Sequence, residues 1–161
     1  MNKQFRDSAF REMAFDIYEK ILEASHNPGI ASDILTVHLR ELTGARAILI
    51  YKYNTRYDCT LLSINPKRIL PLFDNGFLSE ISEKFYENNQ IKIIDIDSPI
   101  LPSEDKEKSA SIIVPLLFGN EKIGEILLIN LPEDEQVKFV IYALEFLSNI
   151  MSLVIRNSIQ Y

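Results

Sequence analysis

The chain has 161 residues, the size of one domain that buries about two-thirds of its unfolded surface without disulfide or metal staples. With 47% hydrophobic and 25% charged residues and only 5 Gly and 7 Pro, it is neither a disordered nor a fibrous chain. A net charge of −6, with 17 bases scattered among 23 acids, disfavours nucleic acid and anionic membrane surfaces as partners.

The N-terminal stretch is charged on every turn and lacks the apolar centre of a signal peptide, so a soluble, cytoplasmic chain without direct membrane contact is expected. Apolar positions at Phe10, Met13, Ala14, Ile17, Ile21 and Ala24 step by three and four, with Phe15, Tyr18 and Leu22 on a neighbouring stripe, and predict a helix over residues 1–24. Asn27-Pro28-Gly29 breaks it. Ser32 or Asp33 can cap a second helix, with Ile34, Leu35, Leu39 and Leu42 inward, that stops at Gly44. Ala45 to Tyr53 reads as a strand covered on both faces, with Ala47, Leu49, Tyr51 and Tyr53 on one side and Ile48 and Ile50 on the other. A turn at Asn54 to Asp58 leads to a second strand, Cys59 to Ile64.

Phe77, Ile81 and Phe85 mark a short helix within the mixed stretch from Arg68 to Asn89, and Ile91 to Ile96 alternates as a short strand. Asp97 to Lys108, with Pro99 and Pro102, reads as an exposed loop that could act as a lid. Ile112 to Phe118 and Ile123 to Leu131 form two buried strands joined through Gly119-Asn120-Glu121-Lys122. Pro132 and the acidic Glu133-Asp134-Glu135 open a last helix, 134–160. Along it Val137, Val140, Leu144, Leu147, Met151 and Val154 form one apolar stripe, and Phe139, Tyr142, Phe146, Ile150 and Leu153 a second. Two stripes require two partners: the chain's own sheet, and the N-terminal helix or a second copy of this helix.

Val114-Pro115-Leu116 and Lys122-Ile123-Gly124-Glu125-Ile126-Leu127, supported by Leu42-Thr43-Gly44-Ala45 before the first strand, carry a family likeness. In this order of elements the whole chain, 1–161, resembles a single GAF domain, a small-molecule sensor module of signalling proteins such as histidine kinases. The resemblance implies an α+β fold: an antiparallel sheet of five or six strands, terminal helices on one face, and a ligand pocket on the other, roofed by Arg68 to Lys108. Candidate lining residues are Tyr51, Tyr53, Arg68, Phe73, Phe77 and Phe85, with Asp95 and Ser111 as polar handles. The bland alternative is that these aromatics are core. The two apolar stripes lead to the expectation of a homodimer formed through the first and last helices, and with the resemblance they imply that the last helix, through the stripe from Val137 to Val154, relays occupancy to an output module such as a kinase.

The family's cyclic-nucleotide signature does not occur in this sequence, and Cys59, followed by Thr60 in a strand, is not placed like the bilin-bearing cysteine of photoreceptor relatives. Relatives that reduce free methionine sulfoxide need an attacking and a resolving cysteine, and this chain has one. Cys59 reads as a small half-buried hydrophobe. His26 and His38 lack further ligands for a metal site, and the Ser-x-x-Lys spacing at Ser103 to Lys106 lacks the cleft and partners of an acyl enzyme. Arg56, Lys67 and Arg68 could meet an anion near the pocket mouth or simply be surface. No catalytic residue, metal or required cofactor is predicted. The expected function is sensing an unidentified small molecule; the alternatives are a ligand-free dimerisation scaffold or a redox enzyme of the methionine sulfoxide reductase type.

Overall fold

The computed structural model describes residues 3–56, 58–73, 75–95, 109–132 and 137–159. The elements follow the predicted order: α1 (Lys3–Glu23), α2 (Pro28–Thr43), β1 (Ala47–Thr55), β2 (Asp58–Asn65), a 3-10 turn (Lys67–Leu72), α3 (Asn75–Phe85), β3 (Lys92–Ile94), β4 (Ser109–Phe118), β5 (Glu121–Pro132) and α4 (Val137–Ile159). The predicted lid loop with its Ser103 to Lys106 spacing, and the acidic segment at 133–135, lie outside the described residues.

Helix α2 begins earlier than a cap at Ser32 or Asp33 would allow. Asn27 takes that role: its side chain accepts from Ile30 N at 3.1 Å, and Pro28, which has no N–H to satisfy, occupies the first turn. Asp33 instead accepts from Ser63 Oγ at 2.6 Å and ties α2 to β2. Gly44 ends the helix at φ +73°, a conformation that a residue with a Cβ adopts only under strain.

The sheet runs β2-β1-β5-β4-β3 with every neighbouring pair antiparallel. Alternation along β1 sends Ile48 and Ile50 to the helical side and Ala47, Leu49 and Tyr51 to the other, with Tyr53 packed against the latter group. Helices α2 and α4 cover the first face, and α1 makes its main contacts with those two helices. The α3 segment and the 3-10 turn roof the second face, where Ile69, Phe73, Leu78 and Ile81 join Leu49, Tyr51, Ile113 and Leu127.

Val140, Leu144, Leu147, Met151 and Val154 are each 2% exposed or less, packed in the core between α4 and the sheet. At roughly 1.5–3 kcal/mol per buried side chain, this stripe binds α4 firmly to its own domain. The assignment of the dimer contact to this stripe is thereby corrected: side chains already sealed inside one subunit have no apolar surface left to bury. The outward side of α4 keeps Tyr142 60%, Phe146 37% and Leu153 45% exposed, while Ile150, expected on that stripe, is buried. On α1 the described inward positions are Ala14, Ile17, Ile21 and Ala24, whereas Met13, Phe15 and Leu22 face out. Tyr18 stacks on Phe146 with ring centroids 4.8 Å apart, and Phe15 lies 6.3 Å from Tyr18, so the two helices share one exposed aromatic strip. Residues Val140–Asn157 are long and apolar enough to cross a membrane by length and composition, yet 56% of that stretch is buried inside the domain, which accounts for its apolarity.

Candidate functional site

An ionisable cluster lies buried between roof and sheet. Glu125 of β5 is fully buried, and its Oε1 accepts from Tyr51 OH at 3.2 Å and from Tyr53 OH. Lys122 Nζ sits 3.1 Å from Glu125 Oε2 and donates at 2.7 Å to the carbonyls of Phe85 and Asn88. With its hydrogens directed at those carbonyls, the ammonium gives Oε2 charge stabilisation more than an aligned hydrogen bond. The carbonyls belong to the end of α3 and the turn after it, where the helix dipole favours a cation. Lys122 thus fastens the roof helix to the sheet.

Strand alternation alone would place residues 122 and 125 on opposite faces. Leu116 pairs with Gly124 but Leu117 pairs with Lys122, so Ile123 is the extra residue of a bulge in β5. The bulge rephases the strand: Ile123 and Ile126 both join the helical-side core, and Lys122 and Glu125 both turn to the roof. Gly124 makes the approach of β1 possible, since a Cβ there would stand 2.4 Å from the Tyr51 carbonyl oxygen.

Burial pushes the Glu125 carboxyl above its ordinary value, opposed by Lys122 and by the phenol hydrogen bonds. Burial likewise pushes the Lys122 ammonium down, opposed by Glu125. Both phenols are pushed up, first by burial and then by the Glu125 charge, which keeps them as hydrogen-bond donors at neutral pH.

Beside this cluster opens a cleft of about 830 Å³. One wall is the end of β1 and the turn after it (Tyr53, Asn54, Thr55, Arg56), and the next is the end of the roof (Tyr86, Glu87, Asn89). The β4–β5 hairpin (Phe118, Asn120, Glu121, Lys122, Ile123) and Arg156 of α4 complete it. Tyr86 meets Tyr53 edge to face at 5.2 Å and carries the Arg56 guanidinium at 5.0 Å, while Arg156 lies 5.3 Å over Phe118.

The predicted lining residues divide. Tyr51, Tyr53, Phe73, Phe77 and Phe85 do come together in the layer under the roof, where Phe73 and Phe77 meet edge to face at 4.9 Å. Their packing fills that layer. Arg68 and Asp95 are exposed and do not enter it. Ser111 is buried, and its hydroxyl accepts from Asn130 N at 3.1 Å, where β5 takes a φ of +56° beside a register shift, so it supports the strand there. Of the three bases expected near a pocket mouth, Arg56 reaches the cleft, Lys67 pairs with Asp33 at 3.6 Å, and Arg68 points to solvent. Cys59 is half-buried against the roof layer, and burial pushes its thiol up against the opposing effect of a Ser82 hydrogen bond. Lys122 and Glu125 escaped the sequence reading because they stand in an otherwise apolar run; a glycine inside a strand, marking a bulge, was the available signal.

No family model and no curated protein matches the sequence. Solved structures do match. The GAF domain of a phosphoenolpyruvate-protein phosphotransferase from Coxiella burnetii superimposes with a TM-score of 0.63 at 12% identity, over 90% of this chain and 94% of that one. The phycoerythrobilin-bound GAF domain of a cyanobacterial phytochrome gives 0.59 at 16% identity, over 91% and 94%. The fold is that of a GAF domain. The same GAF fold relates the chain to the chromophore-binding domain of a bacteriophytochrome from R. palustris, with a TM-score of 0.62 at 14% identity, covering 90% of this chain and spanning 60% of that protein's.

Proposed function

We propose that this GAF domain is a regulatory sensor that binds a small molecule in the cleft between the end of the roof and the last turn of α4 and passes occupancy through α4 to an output module, such as a histidine kinase, in the cytoplasm. The observation that carries this reading is the buried Glu125, Lys122, Tyr51 and Tyr53 cluster at the edge of a cleft. A layer selected for stability alone gains nothing from burying a carboxylate and an ammonium that hydrophobes could replace, whereas perturbed ionisable groups gather at functional sites. The cleft touches both the end of the roof and the last turn of α4, so occupancy there has a short path to the chain's C-terminal helix.

In this reading the protein acts as a homodimer through the exposed aromatic strip of α1 and α4. It is not an enzyme: the raised Cys59 thiol is a poor nucleophile at neutral pH, and methionine sulfoxide reduction by an attacking and a resolving cysteine would need a second one. No prosthetic group is assigned. The bilin bound by the cyanobacterial relative is not carried over, because the single cysteine stands on β2 and not in the roof.

One observation favours the second reading, a ligand-free dimerisation scaffold: the layer under the roof is filled by Tyr51, Ile69, Phe73, Leu78 and Ile81. Thermal-shift screening of nucleotides, amino acids and small organic acids separates the two. A sensor gains melting temperature with one chemical class in a Lys122- or Arg156-dependent way, and a scaffold gains with none.

A further inference from the structure

We infer that the lateral cleft takes a flat organic anion, an aromatic carboxylate or phosphate, held between Arg56 and Arg156; this rests on the sensor reading and names the ligand class for it. The volume of about 830 Å³ suits a small molecule. Arg156 lines the cleft with its guanidinium over Phe118, and its buried Nε has no hydrogen-bond acceptor among the described residues. A planar guanidinium presents paired N–H groups that match a carboxylate or phosphate edge, and stacking on a ring holds it ready for that contact. Arg56 is held the same way over Tyr86. Its ion pair with Glu87 at 3.1 Å is solvent-screened, the two side chains being 49% and 79% exposed, so an incoming anion can share that arginine.

Two carboxylates, Glu87 and Glu121, also line the cleft, but both are exposed at its rim. Lys122 adds a third cation at the inner wall, shared with Glu125. Tyr53, Tyr86 and Phe118 offer ring edges and faces on which a flat ligand can stack. Arg56 belongs to the turn between β1 and β2, and Arg156 to the last turn of α4, so one anion bridging them links that turn to the last helix. A ligand under the roof would be separated from α4 by the sheet. An anion in this cleft biases the pose of α4 by direct contact.

The test titrates the full chain at low ionic strength with phenyl phosphate, benzoate, inorganic phosphate and benzyl alcohol, followed by calorimetry and backbone amide NMR. Phenyl phosphate or benzoate is expected to bind at least tenfold more tightly than benzyl alcohol or inorganic phosphate and to weaken with added salt. Amide shifts should centre on residues 53–56, 86–89 and 118–123, and Arg156→Gln and Arg56→Gln should each lower affinity about tenfold, with Arg156→Lys not restoring it. Should Arg156→Gln destabilise the fold, Arg56→Gln still decides. Equal binding of benzyl alcohol, affinity unchanged in the arginine variants, shifts confined to the layer around Tyr51 and Phe73, or no binding of any probe each overturns the inference. The sensor reading itself falls only if the wider metabolite screen also finds no stabilising compound.

Discussion

Gly124 and the two ionisable residues around it set the chemistry of the roof side. A methyl group at position 124 would meet the Tyr51 carbonyl oxygen at 2.4 Å, and that atom cannot rotate away as a side chain can. Gly124→Ala is therefore expected to destabilise the fold by about 3 kcal/mol, the upper end of overpacking effects, in urea denaturation. Lys122→Met leaves Glu125 buried without its counter-charge, with an expected loss of about 3–5 kcal/mol. The double variant Lys122→Met, Glu125→Leu should recover much of that loss, which a double-mutant cycle measures. The pH dependence follows from the direction of the Glu125 shift. Because burial raises its folded value above the ordinary 4.5, the folded protein holds a proton that the unfolded chain releases. The contribution of Glu125 to stability is thus full below 4.5 and is lost as pH rises through the raised folded value. Glu125→Gln, which cannot titrate, should flatten that part of the stability profile between the two values, as read by denaturation at a series of pH values.

Among the elements, α4 carries two stripes with opposite fates. Leu147 is wholly buried and Leu144 with it, so Leu147→Glu places a charge in the core and should abolish cooperative unfolding near room temperature. Phe146 and Leu153 are 37% and 45% exposed, and Phe146→Glu with Leu153→Glu should leave the melting temperature of a monomer within a few degrees of its original value. If the aromatic strip of α1 and α4 is the dimer contact, the same pair of changes converts dimer to monomer in sedimentation velocity; a dimer that persists moves the contact elsewhere. The apolar period of α4 was plain in the sequence, but both stripes show it equally. Which one meets the sheet depends on the rotation of α4 about its own axis as it packs on β4 and β5, a property of the packed layers and not of the helix.

At the scale of the whole molecule, ligand binding and folding are linked. A compound present at 100 times its dissociation constant stabilises the folded state by about 2.7 kcal/mol, which for a chain of this size raises the melting temperature by roughly 5–10 °C. That response should be lost in Lys122→Met if the roof must be fastened for binding, and a scaffold would give no response in either protein. Differential scanning fluorimetry with both proteins tests this directly.

The order of helices and strands, the two-sided character of β1 and the closing hairpin could be read from residue patterns because they depend on local causes: alternation, helical period, and the turn chemistry of Gly44 and Gly119. The aromatic residues under the roof were also legible as a group. What the residues could not reveal was the placement of Lys122 and Glu125 on one face, the diversion of Ser111 to Asn130, or the burial of the stripe from Val140 to Val154 within a single subunit. Each of these depends on how strands pair and layers pack in three dimensions. A one-residue bulge in β5 exchanges inside for outside along the strand, and its position is set by how β4, β5 and β1 fit together.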